Sequence, residues 1–137
     1  MTPPLRYLLD TNICIFIIKN RPAAVRARFD GLRPGEVGLS AVTEAELLHE
    51  VYKSARVEHN LAAVLDFASQ LVVLPFDSQV TDAYGRVRAE LEKIGQPIGP
   101  LDFQIAVTAL AHGLILVTNN TREFARVPGL KLEDWTQ

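Results

Sequence analysis

The sequence predicts an α/β fold, in which a parallel sheet of about five strands lies between helices. Short apolar segments alternate along the chain with longer amphipathic ones. The short segments are continuously apolar, which is typical of strands covered on both faces of a parallel sheet. The 137 residues contain no internal repeat and no low-complexity linker, so we expect one domain over residues 1–137.

The strands are predicted from short apolar runs that end at turn or polar residues. They are Leu5–Leu9, Glu36–Ser40, Leu71–Leu74, Leu114–Val117 and, at an edge of the sheet, Leu130–Leu132. The run LVVL at Leu71–Leu74 contains two β-branched residues and stops at Pro75, so we expect a buried strand there.

The helices are predicted from apolar residues spaced three and four apart, and from capping residues. Asp77 is a suitable N-cap and Gly95 a suitable stop for the helix between them. The other predicted helices are Asn12–Lys19, Pro22–Asp30, Thr43–Arg56, Glu58–Ser69, Leu101–His112 and a short helix that ends at Ala125.

Composition excludes several classes of protein. Cys14 is the one cysteine, so neither an internal disulfide nor a cysteine metal cluster is possible within the chain. No apolar run is long enough to span a membrane and no secretory signal is evident, so we expect a cytoplasmic protein without membrane association. The net charge of −2 gives no sign of nucleic-acid binding, which would need a local basic patch or a bound cation.

Three carboxylates lie near the starts of helices at the edge where parallel α/β sheets bind their ligands. Asp10 ends the first strand, Glu46 follows the second, and Asp102 precedes the fourth near the start of a helix. Mg²⁺ and Mn²⁺ favour carboxylate oxygens and water as ligands. A divalent cation held there can activate water and neutralise a scissile phosphate.

Each acid also has a purely structural interpretation. Asp10 can cap the helix that follows it, and Thr43 with Glu46 fits a capping box. Asp102 lies in a first helical turn, where the helix dipole favours negative charge. The three acids together favour a cation site, because three carboxylates at one sheet edge repel one another unless a cation is present.

Other candidate residues carry weaker signals. His49, His59 and His112 are scattered and lack metal-ligand spacing, so we expect structural or surface roles for them. Cys14 lies among isoleucines and is expected in the core, whereas Arg86 is expected on a solvated helix face.

Four stretches of the chain together resemble the PIN-domain ribonucleases, and specifically the VapC-type toxins of type II toxin–antitoxin systems. They are YLLDTNICI at residues 7–15, LSAVTEAELLHEV at 39–51, PIGPLDFQIAVTAL at 97–110 and LVTNNTREFARVPGLKLEDW at 116–135. The resemblance therefore covers nearly the whole chain. It implies a parallel sheet between helices and a cluster of acids that binds Mg²⁺ or Mn²⁺.

The resemblance assigns roles to residues one by one. Asp10, Glu46 and Asp102 match three metal-binding acids of the family. The family usually has a fourth acid, an aspartate, at the position of Asn120. Asparagine brings no negative charge, so one strongly bound cation is expected rather than two. Residues expected to orient the acids or the substrate are Thr11, Asn12, Thr118 and Glu123.

By this resemblance the chain is a toxin that cleaves structured RNA, with tRNA the expected class, and so inhibits translation. Unstacked loop nucleotides suit such a site because they can be splayed into a pocket. The implied partners are the RNA substrate and a cognate VapB-type antitoxin, with which a homodimer would form a hetero-oligomer. From composition, we expect the basic groove of that homodimer at Lys19, Arg21, Lys53 and Arg56.

Two other classes of protein stay open at this point. A receiver-like regulatory domain also has an aspartate after a strand and binds Mg²⁺, but it requires adjacent acids, and here Asp10 is followed by Thr11. A catalytically weakened PIN-like module that binds RNA or protein is also compatible with Asn120.

Overall fold

The computed structural model describes residues 4–137, which contain one five-stranded parallel sheet. The strands are β1 (Tyr7–Leu9), β2 (Val37–Ser40), β3 (Val72–Leu74), β4 (Ile115–Val117) and β5 (Lys131–Glu133). Their order in the sheet is β3-β2-β1-β4-β5. The predicted fold class is confirmed, and each observed strand lies at the predicted place in the chain.

Helices cover both faces of this sheet. They are α1 (Thr11–Lys19), α2 (Ala23–Asp30), α3 (Ala41–Tyr52), α4 (Val57–Ser69), α5 (Ser78–Lys93), α6 (Pro100–Ala111) and α7 (Thr121–Phe124). The predicted helix-capping residues of α5 are confirmed. Asp77 Oδ1 accepts a hydrogen bond from Val80 N at 3.3 Å, and Gly95 has a positive φ of 67° beyond the helix. No helix within residues 4–137 is both long and apolar enough to cross a membrane.

The core consists of two apolar layers separated by the sheet. Successive strand residues point to opposite faces, so Tyr7 and Leu9 pack with α1 to α4, whereas Leu8 packs with α5, α6 and α7. Cys14 is fully buried in the first layer, as its isoleucine-rich surroundings predict. The central strands are therefore covered on both sides, which fixes the position of the residues that follow them.

β3 differs from its predicted environment. The run Leu71–Leu74 was expected to form a buried strand, but Val72 and Val73 are 38% and 37% exposed. The reason is the position of β3, which within residues 4–137 is an edge strand paired with β2 alone. An apolar β-branched run is equally compatible with a central and an edge strand, so its composition does not reveal this exposure.

α3 begins earlier than predicted, and the capping box expected from Thr43 and Glu46 is wrong. Ser40 ends β2 and is the N-cap residue, since its Oγ accepts a hydrogen bond from Thr43 N at 3.1 Å. α3 also ends earlier than the predicted Arg56, at Tyr52, which is 63% exposed. The early start frees the Glu46 carboxylate from capping.

The order of the strands excludes the receiver-like alternative. In the flavodoxin-like order 2-1-3-4-5 shared by receiver domains, the first strand lies between the second and the third. Here β1 lies between β2 and β4. The chain direction across the sheet reverses between β1 and β4, and such a switch point opens a ligand crevice beyond the carboxyl ends of the strands.

Candidate active site

Asp10 lies at the switch point, immediately after β1. Its backbone N–H donates to Val117 O at 3.0 Å, which ties it to the end of β4. Its carboxylate Oδ1 accepts a hydrogen bond from Ile13 N at 2.8 Å, so Asp10 is the N-cap residue of α1. The structural interpretation of Asp10 is therefore correct, but it does not account for the other groups around this carboxylate.

Burial raises the pKa of Asp10 to about 6. Hydrogen bonds from the Thr118 side chain and from Ile13 N–H act in the opposite direction, and the charges of Asp102 and Glu46 raise the pKa further. Asp10 is only 5% exposed. A buried carboxylate that faces two other acids is destabilised in its charged form, and a cation would relieve that cost.

Glu46 projects from the second turn of α3 toward α1. Its Oε1 accepts a hydrogen bond from the Thr11 hydroxyl at 2.7 Å, and the same hydroxyl lies 3.2 Å from Thr43 Oγ1. Thr43 is fully buried beneath this contact. Thr11 therefore links the helix after β1 to the helix after β2, and it orients the Glu46 carboxylate.

Asp102 approaches from the third element of the site, the first turn of α6. Burial raises its pKa, and the charges of Glu123 and then Glu46 raise it further. Asp102 is half-buried. The helix dipole at this position favours the charged form of Asp102, whereas the charges of Glu123 and Glu46 disfavour it.

Asp10, Glu46 and Asp102 line one cleft with a volume of about 530 Å³. Thr11 and Asn12 line the same cleft. The structure thus brings together five of the eight residues that the sequence singled out, although they come from segments as far apart as α1 and α6. The parallel sheet is the cause, since it gathers the carboxyl ends of its strands at one edge.

Asn120, Thr118 and Glu123 form a second group beside the cleft. Asn120 is exposed, its backbone N–H donates to Thr118 Oγ1 at 2.9 Å, and its Nδ2 donates to Glu123 Oε2 at 2.9 Å. Glu123 Oε1 also accepts from Gly99 N at 3.4 Å. Asn120 therefore holds Glu123 and does not line the cleft, while the charge of Glu123 raises the pKa of Asp102.

The residues of the cleft fit a hard divalent cation by their chemistry. Their donors are carboxylate and hydroxyl oxygens, which Mg²⁺ and Mn²⁺ favour. Within residues 4–137, no group of three or more His, Cys, Asp or Glu side chains is arranged to hold a metal ion on its own. Mg²⁺ usually keeps several waters and needs only one or two carboxylates, so the cleft is compatible with a partly hydrated cation.

Six residues that line the cleft are not among the predicted site residues: Ile15, Val42, Ala45, His49, Glu50 and Leu101. Of these, His49 lies three residues after Glu46 on α3. Residues three apart share a helix face, so this spacing was a usable signal. By contrast, His59 is on α4 and does not line this cleft. Lys53, one of the expected basic residues, forms an ion pair with Glu50 at 3.1 Å.

A family model described as the PIN domain matches residues 7–130. The chain belongs to the PIN-domain family. Within that family it is similar to VapC proteins. It is 51% identical over 132 residues to the tRNA(fMet)-specific endonuclease VapC of Shigella flexneri, and the match covers 96% of this chain and 99% of that protein. It is 44% identical over 131 residues to Ribonuclease VapC2 of Haemophilus influenzae, with 96% and 98% covered.

The fold of this PIN domain agrees with solved structures. In the crystal structure of DNA-bound VapBC from Salmonella typhimurium, one chain superposes with a TM-score of 0.90. The two chains are 47% identical, and the match covers 96% of this chain and 98% of the other. The resemblance to the VapC family that the sequence motifs indicated is therefore confirmed over nearly the whole chain.

Proposed function

We propose that this chain is the toxin of a toxin–antitoxin pair and an endoribonuclease that depends on Mg²⁺ or Mn²⁺. Its substrate class is structured RNA, with tRNA favoured because the Shigella flexneri relative is named a tRNA(fMet)-specific endonuclease. The observation that carries the proposal is the cleft in which Asp10, Glu46 and Asp102 meet. Charge repulsion between these acids accounts for the raised pKa values of Asp10 and Asp102 only in part, since burial contributes most.

In this proposal Asp10 and Asp102 would hold the cation, and Glu46 would complete the site through one of the cation's waters. When bound, the cation neutralises charge on the scissile phosphate and favours ionisation of the attacking water. Asp10 is fixed by Ile13 N–H and by Thr118, so its carboxylate keeps one orientation without substrate. Such fixed ligands lower the cost of arranging the site at the moment of reaction.

Glu46 is the residue best placed to move a proton. Its Oε1 is held by Thr11, and within residues 4–137 no hydrogen bond reaches its Oε2. We assign Oε2 as the acceptor of the proton that the attacking water releases as its oxygen forms a bond to phosphorus. The bond between phosphorus and the leaving sugar oxygen breaks in the same step, and that oxygen takes a proton from solvent. The role of Thr11 is therefore to hold the Glu46 carboxylate in position through the hydrogen bond to Oε1.

Glu123 supplies the fourth negative charge, in place of the aspartate usual at the position of Asn120. Asn120 Nδ2 and Gly99 N–H fix the two oxygens of Glu123 near Asp102. Asn120 in this proposal is a positioning residue. Asn12 lines the cleft with an exposed amide, which suits a contact to a substrate phosphate.

The partners in this proposal are RNA and a VapB-type antitoxin, and the protein acts in the cytoplasm as a homodimer that joins the antitoxin in a hetero-oligomer. The support for the antitoxin is that similar solved structures are titled VapBC complexes. The support for the compartment is a free, buried Cys14 and the class of substrate.

The test is incubation of purified protein with bulk bacterial RNA in Mg²⁺, in Mn²⁺ or in EDTA, followed by sequencing of the new 5′ ends. We expect discrete cleavage with either cation, none in EDTA, and none by Asp10→Asn or Asp102→Asn in any condition. Asp82→Asn, on the exposed face of α5, is the matched control. Binding of RNA without cation-dependent cleavage by the unsubstituted protein would support the alternative of a PIN-like binding module.

A further inference from the structure

The acidic cleft has an apolar rim. Besides its acids it is lined by Ile15, Val42, Ala45 and Leu101. Leu101 is 47% exposed and directly precedes Asp102 at the start of α6. Binding of a hydrated cation and a phosphate requires none of these side chains. The rim therefore offers an apolar contact to a part of the substrate other than the phosphate.

His49 continues this rim along α3. Val42, Ala45 and His49 are spaced three and four residues apart, so they form one row on the helix surface beside the row of Glu46 and Glu50. The His49 side chain is exposed, and it makes no hydrogen bond or ion pair within the part of the chain that the structure describes. An exposed imidazole without a protein partner is available to a ligand in the cleft.

The charges in the cleft limit how RNA can be held there. The described lining residues include the acids Asp10, Glu46, Glu50 and Asp102, but neither lysine nor arginine. Phosphates on either side of the scissile bond therefore find no cationic side chain within the cleft. Beyond the proposed cation and the Asn12 amide, contacts to the base are therefore needed for local binding, and unstacked bases bind to histidine and apolar side chains by stacking.

We propose that His49 and Leu101 form a nucleobase subsite, which takes the unpaired base next to the scissile phosphate. This inference rests on the proposed ribonuclease function and deepens it. His49 presents a flat imidazole from α3, and Leu101 presents an apolar surface from α6, at the rim of the same cleft. The cleft volume of about 530 Å³ lies within the roughly 300–1,000 Å³ of ordinary ligand pockets. His49 is thereby a substrate-positioning residue that acts on the flanking nucleotide.

The experiment measures steady-state cleavage of bulk bacterial tRNA by His49→Ala, His49→Phe and Leu101→Ala. Loss of one stacking contact weakens binding by roughly 5- to 100-fold, so we expect His49→Ala to raise KM by about that factor with kcat little changed. Phenylalanine keeps a flat ring, and His49→Phe should restore KM to within about threefold of the unsubstituted protein. Leu101→Ala should raise KM by a smaller factor.

Two further readouts separate a base contact from a structural effect. Sequencing of the 5′ ends should show a relaxed preference for the base beside the cut in His49→Ala and Leu101→Ala, while Mn²⁺ affinity stays that of the unsubstituted protein. The matched controls are His59→Ala and Leu65→Ala on α4, of which Leu65 is 55% exposed. Both controls should leave KM and base preference unchanged.

The outcomes distinguish a failure of the proposed function from a failure of the subsite. If the unsubstituted protein cleaves no RNA with either cation, the proposed function itself fails. If it cleaves but both rim variants keep its KM and base preference, only the subsite is overturned. A loss of Mn²⁺ affinity in His49→Ala would also overturn the subsite, because it would make the imidazole a cation ligand.

Discussion

The hydroxyl of Thr11 donates a hydrogen bond of 2.7 Å to Oε1 of Glu46, and this contact joins two helices that follow neighbouring strands. The contact depends on the start of α3 at Ala41. In a helix capped at Thr43, the Glu46 carboxylate would instead accept a hydrogen bond from the Thr43 backbone N–H. The orientation of the proposed proton acceptor thus depends on where Ser40 places the start of α3.

Removal of the Thr11 hydroxyl should slow cleavage without unfolding the protein. We expect Thr11→Val to lower kcat by about tenfold to a hundredfold, since a hydrogen bond to a charged group contributes roughly 1.5–3 kcal/mol. Thr11→Ser retains the hydroxyl and should stay within about threefold of the unsubstituted rate. Thr81→Val, which removes an exposed hydroxyl of α5, is the control. Equal rates for Thr11→Val and Thr11→Ser would show that the contact does not orient Glu46.

The raised pKa of Asp10 should make the metal-free protein less stable at neutral pH. Its pKa is about 6 in the folded protein and ordinarily 3.8, so the folded state holds the proton more tightly. Ionisation therefore costs stability as pH rises from about 4 to above 6, by at most about 3 kcal/mol. Asp10→Asn removes this cost while it keeps a good N-cap residue.

The measurement is the free energy of unfolding by urea in EDTA. At pH 7.5 we expect Asp10→Asn to exceed the unsubstituted protein by about 1–3 kcal/mol, and at pH 4 or below to equal it. Asp10→Ala should gain less, because loss of the cap costs about 1 kcal/mol. If the difference in unfolding free energy between Asp10→Asn and the unsubstituted protein were the same at both pH values, the pKa of Asp10 would not be raised in the folded protein.

A divalent cation should raise the melting temperature at pH 7.5, and EDTA should reverse the effect. At a concentration of about 100 times Kd the gain is roughly 2.7 kcal/mol, which corresponds to about 5–10 °C for a chain of this size. Asp10→Asn and Asp102→Asn should each abolish the rise, whereas Asp82→Asn should retain it. A rise of equal size in all three variants would place the cation outside the cleft.

Asn120 and Glu123 should act as one unit. Asn120 Nδ2 donates to Glu123 Oε2 at 2.9 Å, and we assign the negative charge to Glu123. We expect Glu123→Gln to lower kcat by about tenfold or more and Asn120→Ala by less, with the double variant no slower than Glu123→Gln. The double-mutant cycle measures this coupling. Additive losses would indicate that Asn120 acts on the substrate independently of Glu123.

Sequence pattern was sufficient for the elements whose signals are local. Asp77 and Gly95 bound α5 as predicted, and Asp10 caps α1 as predicted, because a cap is a short-range hydrogen bond or a backbone preference. The exposure of Val72 and Val73 depends on which strands are neighbours. Pairing is a long-range property, so the composition of the run cannot reveal it.

The candidate site divides in the same way. The position of Asp10, Glu46 and Asp102 in one cleft is predictable from the sequence, because each lies near a strand at the edge where ligands bind. Sequence position alone points to Asn120, but in the structure Asn120 donates a hydrogen bond to Glu123. Of these two residues, it is Glu123 that raises the pKa of Asp102. His49 is one of three scattered histidines in the sequence, and its spacing from Glu46 is the local signal that places it on the same helix face.

The two roles of Asp10, as the cap of α1 and as an acid of the cleft, also have a genetic consequence. A single-nucleotide change converts an aspartate codon to an asparagine codon, and an asparagine at this position would keep the helix capped while it removes the charge from the cleft. Under the proposed function, selection for cells that survive production of this toxin should therefore recover Asp10→Asn repeatedly, as full-length protein at normal abundance.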